Sequence, residues 1–340
     1  MDFRTLLQLP EYEFLHTDSH LTGRIMLLGV SGSYGYGTNR AGSDIDLRGV
    51  ALNQPSDLIG LTSFDQFEDR KTDTVIYSFM KLVQLLINCN PNTIEILGLD
   101  DDQYLIKSPL GQELLDNRQL FLSKRAAASF GHFADAQLRR LQNAIARDTL
   151  PQPLREQHIM NSVSYALDDF NRRHQEWDKG SVNLYIDQAE TEGLETEIFV
   201  DGHFHRYPLR RYNHLMNTLN NVVRDYDKIG KRNHKKDDNH LNKHAMHLVR
   251  LFMMGIDILE KGEIRTHRPE DDLKLLNSIR NGDYMENGIL NDAFYQIVAS
   301  YQDRFVKAQV ESILPDKPDL EAVGSFVERI NRHVILEDVR

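Results

Sequence analysis

Residues 24–51 narrow the possible folds of this chain more than any other segment. A short apolar run is followed by a glycine-crowded stretch and then by a run of alternating character. Arg24-Ile-Met-Leu-Leu-Gly-Val30 ends at Ser31 and Gly32, which predicts a buried strand stopped by small residues. Ser31 to Gly42 holds four glycines in twelve residues, so it predicts a loop or the start of a helix. Asp44 to Ala51 sets Asp44, Asp46 and Arg48 against Ile45 and Leu47, the pattern of a strand with one polar and one apolar face.

The same reasoning extends along the chain. Asp73 to Tyr77 is a second β-rich run, leading into a helix with Phe79, Leu82, Val83 and Leu86 on one side. Asn90-Pro91 breaks that helix, and Asn92 or Thr93 caps a short one carrying Glu95. Ser108-Pro109 reads as an N-cap and first-turn proline for a helix through Leu115. Ala127, Phe130, Ala134, Leu138, Leu141 and Ile145 mark a long amphipathic helix from Ser123 to about Arg147, ended by Pro151 and Pro153. A further helix is expected from about Gln157 to Trp177, where the lone tryptophan reads as a packing residue. Glu197 to Tyr207 reads as a β-hairpin turning at Asp201-Gly202. Beyond Leu209 the pattern is mainly helical, with Gly230 and the charged stretch to Asn239 between two helices. The expected organisation is an α/β front domain over residues 1–120 and a mainly helical domain over residues 121–340.

Composition excludes several classes of protein. Hydrophobic residues make up 40% of the 340 and charged residues 27%, enough apolar material for a core. A net charge of −11 argues against sequence-independent coating of nucleic acid, which needs clustered Lys and Arg, but leaves room for a local basic patch. The single cysteine, Cys89, rules out an intrachain disulfide and fits a reducing compartment. No stretch approaches the roughly 20 apolar residues of a membrane span. The start, MDFRTLLQLPEYEF, lacks the basic flank and apolar run of a signal peptide. The expectation is a cytoplasmic protein without a membrane partner.

Gly32-Ser33, ten residues, then Asp44-Ile45-Asp46 carries the chemistry. Residues two apart on a strand point the same way, so Asp44 and Asp46 would leave one face roughly 7 Å apart. Carboxylates are hard oxygen ligands suited to Mg²⁺, which prefers octahedral oxygen coordination and company with substrate phosphates. Two ions about 4 Å apart can clamp the attacking and leaving oxygens of an in-line displacement. A carboxylate pair rarely holds two ions, so a third is expected from a neighbouring strand, and Asp73 is chosen over Glu68 and Asp69. Glycine lets a triphosphate approach the backbone, Ser33 adds a hydroxyl donor, and a helix starting there would add its dipole. Gly35 and Gly37 would keep the loop flexible or tightly turned, and Tyr34 and Tyr36 would shape the nucleotide pocket.

These residues resemble the signature of the DNA polymerase beta-like nucleotidyltransferase superfamily. More narrowly, GVSGSYGYGTNRAGSDIDLRGV, Asp73, Lys81, Asn90-Pro91 and Glu95 resemble the polymerase beta family associated with RNA repair. Lys243-His244-Ala-Met-His247-Leu-Val-Arg250, Gly262 and Arg268-Pro269 resemble that family's later elements. The resemblance implies an α+β fold, with a small mixed sheet flanked by helices and a mainly helical C-terminal region. It implies two Mg²⁺ ions, with Mn²⁺ as the alternative, held by Asp44, Asp46 and Asp73. The activity implied is transfer of a nucleoside monophosphate from a nucleoside triphosphate to an acceptor hydroxyl, releasing pyrophosphate. Gly32, Ser33, Tyr34, Ser43, Lys81, Lys243, His247 and Arg250 form the expected nucleotide-binding set. The family's name points to an RNA end as acceptor. Ser78 departs from the pattern, standing where relatives often carry a second acidic residue after the strand.

Other features admit two readings. Lys243, His247 and Arg250 share a helical face, as a basic wall for phosphate or as solvated surface. His240, His244 and His247 have spacing that could hold zinc, without a cysteine or acidic partner nearby. Lys228 to Lys236, KIGKRNHKK, could meet an RNA backbone or form a solvated loop, partly cancelled by Asp237-Asp238. Arg48 shares the face of the aspartates and reads as a salt-bridge partner. Two rival functions stand beside the leading one: nucleotidylation of a protein hydroxyl, and nucleotide binding without transfer.

Overall fold

The computed structural model describes residues 3–149, 180–191, 196–217 and 238–337, together with 154, 157, 219 and 220. Nearly all of the helix expected at 157–177, Trp177, and the basic run at 228–236 lie outside the described residues. The chain forms two compact units. Met1–Gln137, Met246–Asp283 and Asp292–Arg340 make the first, and Leu138–Ala245 with Tyr284–Asn291 makes the second.

The first unit begins with two single-turn helices, α1 (Phe3–Leu6) and α2 (Phe14–Thr17). Then follow β1 (Ile25–Ser31), α3 (Gly32–Tyr36), β2 (Asp46–Ala51), α4 (Pro55–Ile59), β3 (Gln66–Asp69), β4 (Thr74–Ser78), α5 (Phe79–Leu86), α6 (Pro91–Ile94), β5 (Tyr104–Lys107) and α7 (Pro109–Asp116). α8 (Arg125–Thr149) leads into the second unit, whose strands are β6 (Gly180–Gln188) and β7 (Thr196–Phe204). α9 (Asp238–Lys261) returns the chain to the first unit, followed by α10 (Glu270–Asn281). β8 (Met285–Glu286) and β9 (Ile289–Leu290) pair in the second unit, and α11 (Asp292–Glu311) and α12 (Leu320–Glu337) complete the first. Among the described residues no helix is long and apolar enough to cross a membrane.

The central sheet runs β3-β4-β2-β1-β5. β2 and β4 are parallel and the other neighbours antiparallel, so the sheet is mixed. The α+β architecture, the helical C-terminal region and a β-hairpin are all as expected from the sequence. Alternation sets the two faces. Leu28, Val30, Leu47, Ala51 and Ile76 pack with Leu6, Tyr12, Leu15 and Leu21 from the N-terminal segment. The other face carries Asp46 and Arg48. Ser108 Oγ caps α7 as read, accepting from the Gly111 amide, whereas α6 is capped by Asn90 and not by Asn92 or Thr93: Asn90 Oδ1 accepts from the Asn92 amide, and Ser78 Oγ likewise caps α5 by accepting from the Lys81 amide.

Three local readings are corrected. β2 begins at Asp46, which leaves Asp44 and Ile45 in the segment ahead of the strand. β4 begins at Thr74, so Asp73 is a turn residue. The hairpin pairs Gln188 with Thr196 at its far end, and Asp201-Gly202 lies inside β7, paired with Asn183 and Val182. An Asp-Gly pair forces a turn only where no partner strand runs past it, and β6 does run past.

Candidate active site

The parallel register Leu47↔Thr74 places Asp46 and Asp73 side by side, one residue ahead of paired strands. Ser31 pairs with Asp46 at the end of β1, so Gly32 sits at the same edge. The two carboxylates share one guanidinium. Arg48 Nη2 lies 3.2 Å from Asp73 Oδ1 and 3.8 Å from Asp46 Oδ1. Arg48 Nη1 also donates to the backbone oxygens of Leu47 at 2.9 Å and Asp73 at 2.6 Å. The arginine therefore clamps the Asp73 turn onto β2.

That turn has a local cause. Thr72 donates to Asp69 Oδ2 from its amide at 2.9 Å and its hydroxyl at 2.8 Å. These bonds hold the Asp69 carboxyl below the usual carboxylate range. The tightened turn leaves Asp73 in the left-handed region at φ 46°, which aspartate tolerates better than most residues.

Gly32 is required twice. Its φ is +57°, and a Cβ built there would stand 1.8 Å from Asp46 Oδ2. The Asp46 carboxylate is packed against bare backbone, leaving 24% of its side chain open to solvent. Asp73 is more open, at 56%. Asp44 is exposed ahead of β2. The structure thus brings Asp46 and Asp73 together and leaves Asp44 outside their contact. Among the described residues, no three His, Cys, Asp or Glu side chains gather closely enough to hold a metal ion by themselves.

Behind α3 lies a buried polar group. Ser31 Oγ donates to Glu95 Oε1 at 2.7 Å, and Arg250 Nη1 stands 3.7 Å from Glu95 Oε2. The Arg250 guanidinium lies over the Tyr36 ring, 3.5 Å from its centroid, and Nη2 meets His247 Nδ1 at 3.0 Å. Thr266 Oγ1 donates to the Glu95 carbonyl at 2.8 Å, and the Arg268 amide to the Tyr36 carbonyl at 3.3 Å. On another side, Gln103 Nε2 donates to the carbonyls of Tyr34 and Gly35. A five-residue helix, too short to be stable alone, is thereby held from several directions. Burial pushes the Glu95 carboxyl up to about 8, against the Ser31 bond that lowers it. Burial lowers the Arg250 pKa, and the nearby Arg268 charge adds to that.

The remaining expected site residues scatter. Ser33 is half-buried on α3, and its carbonyl accepts from the Thr38 amide. Tyr34 packs edge-on against Phe3 and belongs to the core. Ser43 Oγ accepts from the Arg40 amide at 2.8 Å, closing the loop before β2. Lys81 does not join the site: it follows the far end of β4 and pairs with Asp65 at 3.3 Å. Arg250 is buried behind α3 rather than forming an open basic wall, because it sits in the apolar run Leu248 to Met254. Lys243 is exposed and belongs to the second unit. The histidine zinc site is not formed among the described residues, and the His240 side chain lies outside them. Sequence reasoning missed Ser31, read Tyr36 as shaping the nucleotide pocket where it is buried under the Arg250 guanidinium, and read Glu95 as part of a pattern without a partner.

Residues 9–151 match a family described as the RNA repair pathway DNA polymerase beta family. The match spans the whole central sheet, α3 and all three aspartates, and stops before the later elements read from Lys243 to Pro269. No curated protein and no solved structure matches the chain.

Proposed function

We propose that this polymerase beta-like chain is a metal-dependent nucleotidyltransferase, moving a nucleoside monophosphate from a triphosphate to a hydroxyl at an RNA end. One observation carries the reading. Asp46 and Asp73 meet at one sheet edge, with the Asp46 carboxylate laid against the bare backbone of Gly32.

The residues fit magnesium. Asp46 and Asp73 are hard oxygen donors that already share one cationic group, and Asp44, exposed two residues ahead of Asp46, is a third donor of the same kind. Asp44, Asp46 and Asp73 would hold the metal, which when bound supplies charge neutralisation and Lewis-acid polarisation at the phosphates. The chain's own groups do the rest. Gly32 lets phosphate oxygens approach the backbone, and Ser33 offers a hydroxyl. Asp73, the more open of the pair, takes the acceptor's proton. The acceptor oxygen bonds to the α-phosphorus as the bond to the bridging oxygen breaks, and that electron pair leaves with pyrophosphate. Catalysis is mainly positioning and charge neutralisation.

The test uses α-labelled triphosphates, Mg²⁺ and RNA oligonucleotides. Wild-type protein should label RNA and release pyrophosphate. Asp46→Ala and Asp73→Ala should each lose about a hundredfold or more in rate while retaining wild-type circular dichroism. Full activity in Asp46→Ala would overturn the site. Label entering protein instead of RNA would replace the acceptor, and triphosphate binding without pyrophosphate release would replace the enzyme by a binding module.

A further inference from the structure

The acidic total of the chain hides a segment of opposite character. His203 to His214, HFHRYPLRRYNH, contains three arginines, three histidines and no acidic residue, in a chain with 51 acidic and 40 basic side chains. It begins at the open end of the β6–β7 hairpin and continues into a helical run over 209–217.

The hairpin separates its charges along its length. Asp187 pairs with Glu197 near the turn, where Glu190 also lies, whereas Ser181 pairs with His203 at the open end. The two pairs stand six positions apart along the strands, about 20 Å. That is twice the screening length of roughly 10 Å at 0.1 M salt, so the acidic end does not cancel the basic one, and the exposed Asp201, two residues before His203, sets a single negative charge near the three arginines.

The basic end also has a fixed aromatic group. Tyr207 packs on Val182 and Leu215, a small apolar cluster among the described residues of this unit. Phe204 leans edge-on against Tyr207 at 5.3 Å and against Tyr212 at 5.5 Å. Phe204 remains 38% exposed and Tyr212 36% exposed. Arg206, exposed and in left-handed backbone at φ 48°, lies between Phe204 and Tyr207 in sequence, and the exposed Arg210 follows on the helical run.

We propose that residues 203–214 form a docking surface for single-stranded RNA, with Arg206 and Arg210 on phosphates and the Phe204–Tyr212 pair offering ring area for bases. The inference rests on the polynucleotide-acceptor reading of the function and names where that strand is held. Anchored, half-exposed rings beside arginines suit unstacked bases, which a duplex does not present. A purely acidic protein partner would use the arginines and leave the rings without a role.

The test is fluorescence anisotropy of the full-length protein with a labelled 12-nucleotide single-stranded RNA, from 50 to 200 mM salt. Arg206→Ala/Arg210→Ala should weaken binding about tenfold or more at low salt. It should also flatten the slope of log affinity against log salt by about 1.4, the signature of two lost phosphate contacts on a single strand. Tyr212→Leu should weaken binding about fivefold or more with the slope unchanged. Wild-type affinity and slope in the double variant would overturn the proposal. So would wild-type protein that ignores the RNA but binds polyglutamate. Asp46→Ala should bind the RNA as wild type does. Loss of transfer with binding intact therefore concerns the active site, and unchanged binding in the arginine variants concerns this surface alone.

Discussion

Arg48 is the residue on which the site's electrostatics turn. Without it, Asp46 and Asp73 would lose the guanidinium that lies between their carboxylates, a costly loss at a partly buried edge. A divalent cation would compete with the guanidinium for the same oxygens. Arg48→Ala should therefore be destabilised in chelator and regain stability in millimolar Mg²⁺, with a larger cation-induced rise in Tm than wild type. Equal rises in both proteins, read by thermal shift, would count against a cation binding between these carboxylates. Glu95 poses the complementary case. Its folded pKa, about 8, exceeds the usual carboxylate value of 4.5. The folded state then holds the proton more tightly than the unfolded chain, so stability is fullest below about 4.5 and declines as pH rises toward about 8. The decline should approach at most about 1.4 kcal/mol per pH unit. Glu95→Gln cannot ionise and should remove that part of the pH dependence, as chemical unfolding at pH 5.5, 7 and 8.5 would show.

At the scale of elements, Arg268 joins three pieces of the first unit. Its side chain, 3% exposed, faces Asp257 of α9 at 2.8 Å and Asp272 of α10 at 2.5 Å, while its amide bonds the end of α3. Arg268→Ala strands buried Asp257 with Lys261 as its remaining ion-pair partner and should cost about 3 kcal/mol. Arg268→Lys should recover only part of this, because a point charge cannot reach both carboxylates as a planar fork does. Denaturant titration of the two variants would check the order. Much at this scale was legible beforehand. The apolar run, the glycine segment and the two-faced strand gave β1, α3 and β2 because period two and glycine frequency are local signals. The left-handed turn before β4 was not legible, since Lys71-Thr-Asp-Thr contains no glycine and the bend comes from Asp69 capturing Thr72. The burial of Arg250 was half legible. The i, i+4, i+7 spacing finds a helical face without saying what covers it, but Leu248 to Met254 is apolar around the arginine. Its partner Glu95 lies 155 positions earlier, beyond any local pattern.

At the scale of the whole molecule, the first unit is not continuous in sequence. The matched span 9–151 holds the whole sheet and every proposed metal ligand, yet the buttress behind α3 arrives from Arg250, Thr266 and Arg268. A fragment of residues 1–151 would keep Glu95 and Tyr36 but lose the side chains and amides that satisfy and cover them. It would also lose Phe326 of α12, which packs edge-on against Phe79 and Phe121. Each such loss exposes apolar surface or leaves a polar group without its partner, and the margin of stability in a natural domain is only about 5–15 kcal/mol. The fragment should therefore retain helical and sheet signal in far-UV circular dichroism but lose near-UV signal and bind a hydrophobic dye, the behaviour of an expanded state without fixed packing. Adding residues 246–340 in trans should restore part of the near-UV signal, because those residues supply the missing contacts. A sharp unfolding transition in the isolated fragment, with no dye binding, would show that the sheet stands without its C-terminal cover and that α3 is held by the front of the chain alone.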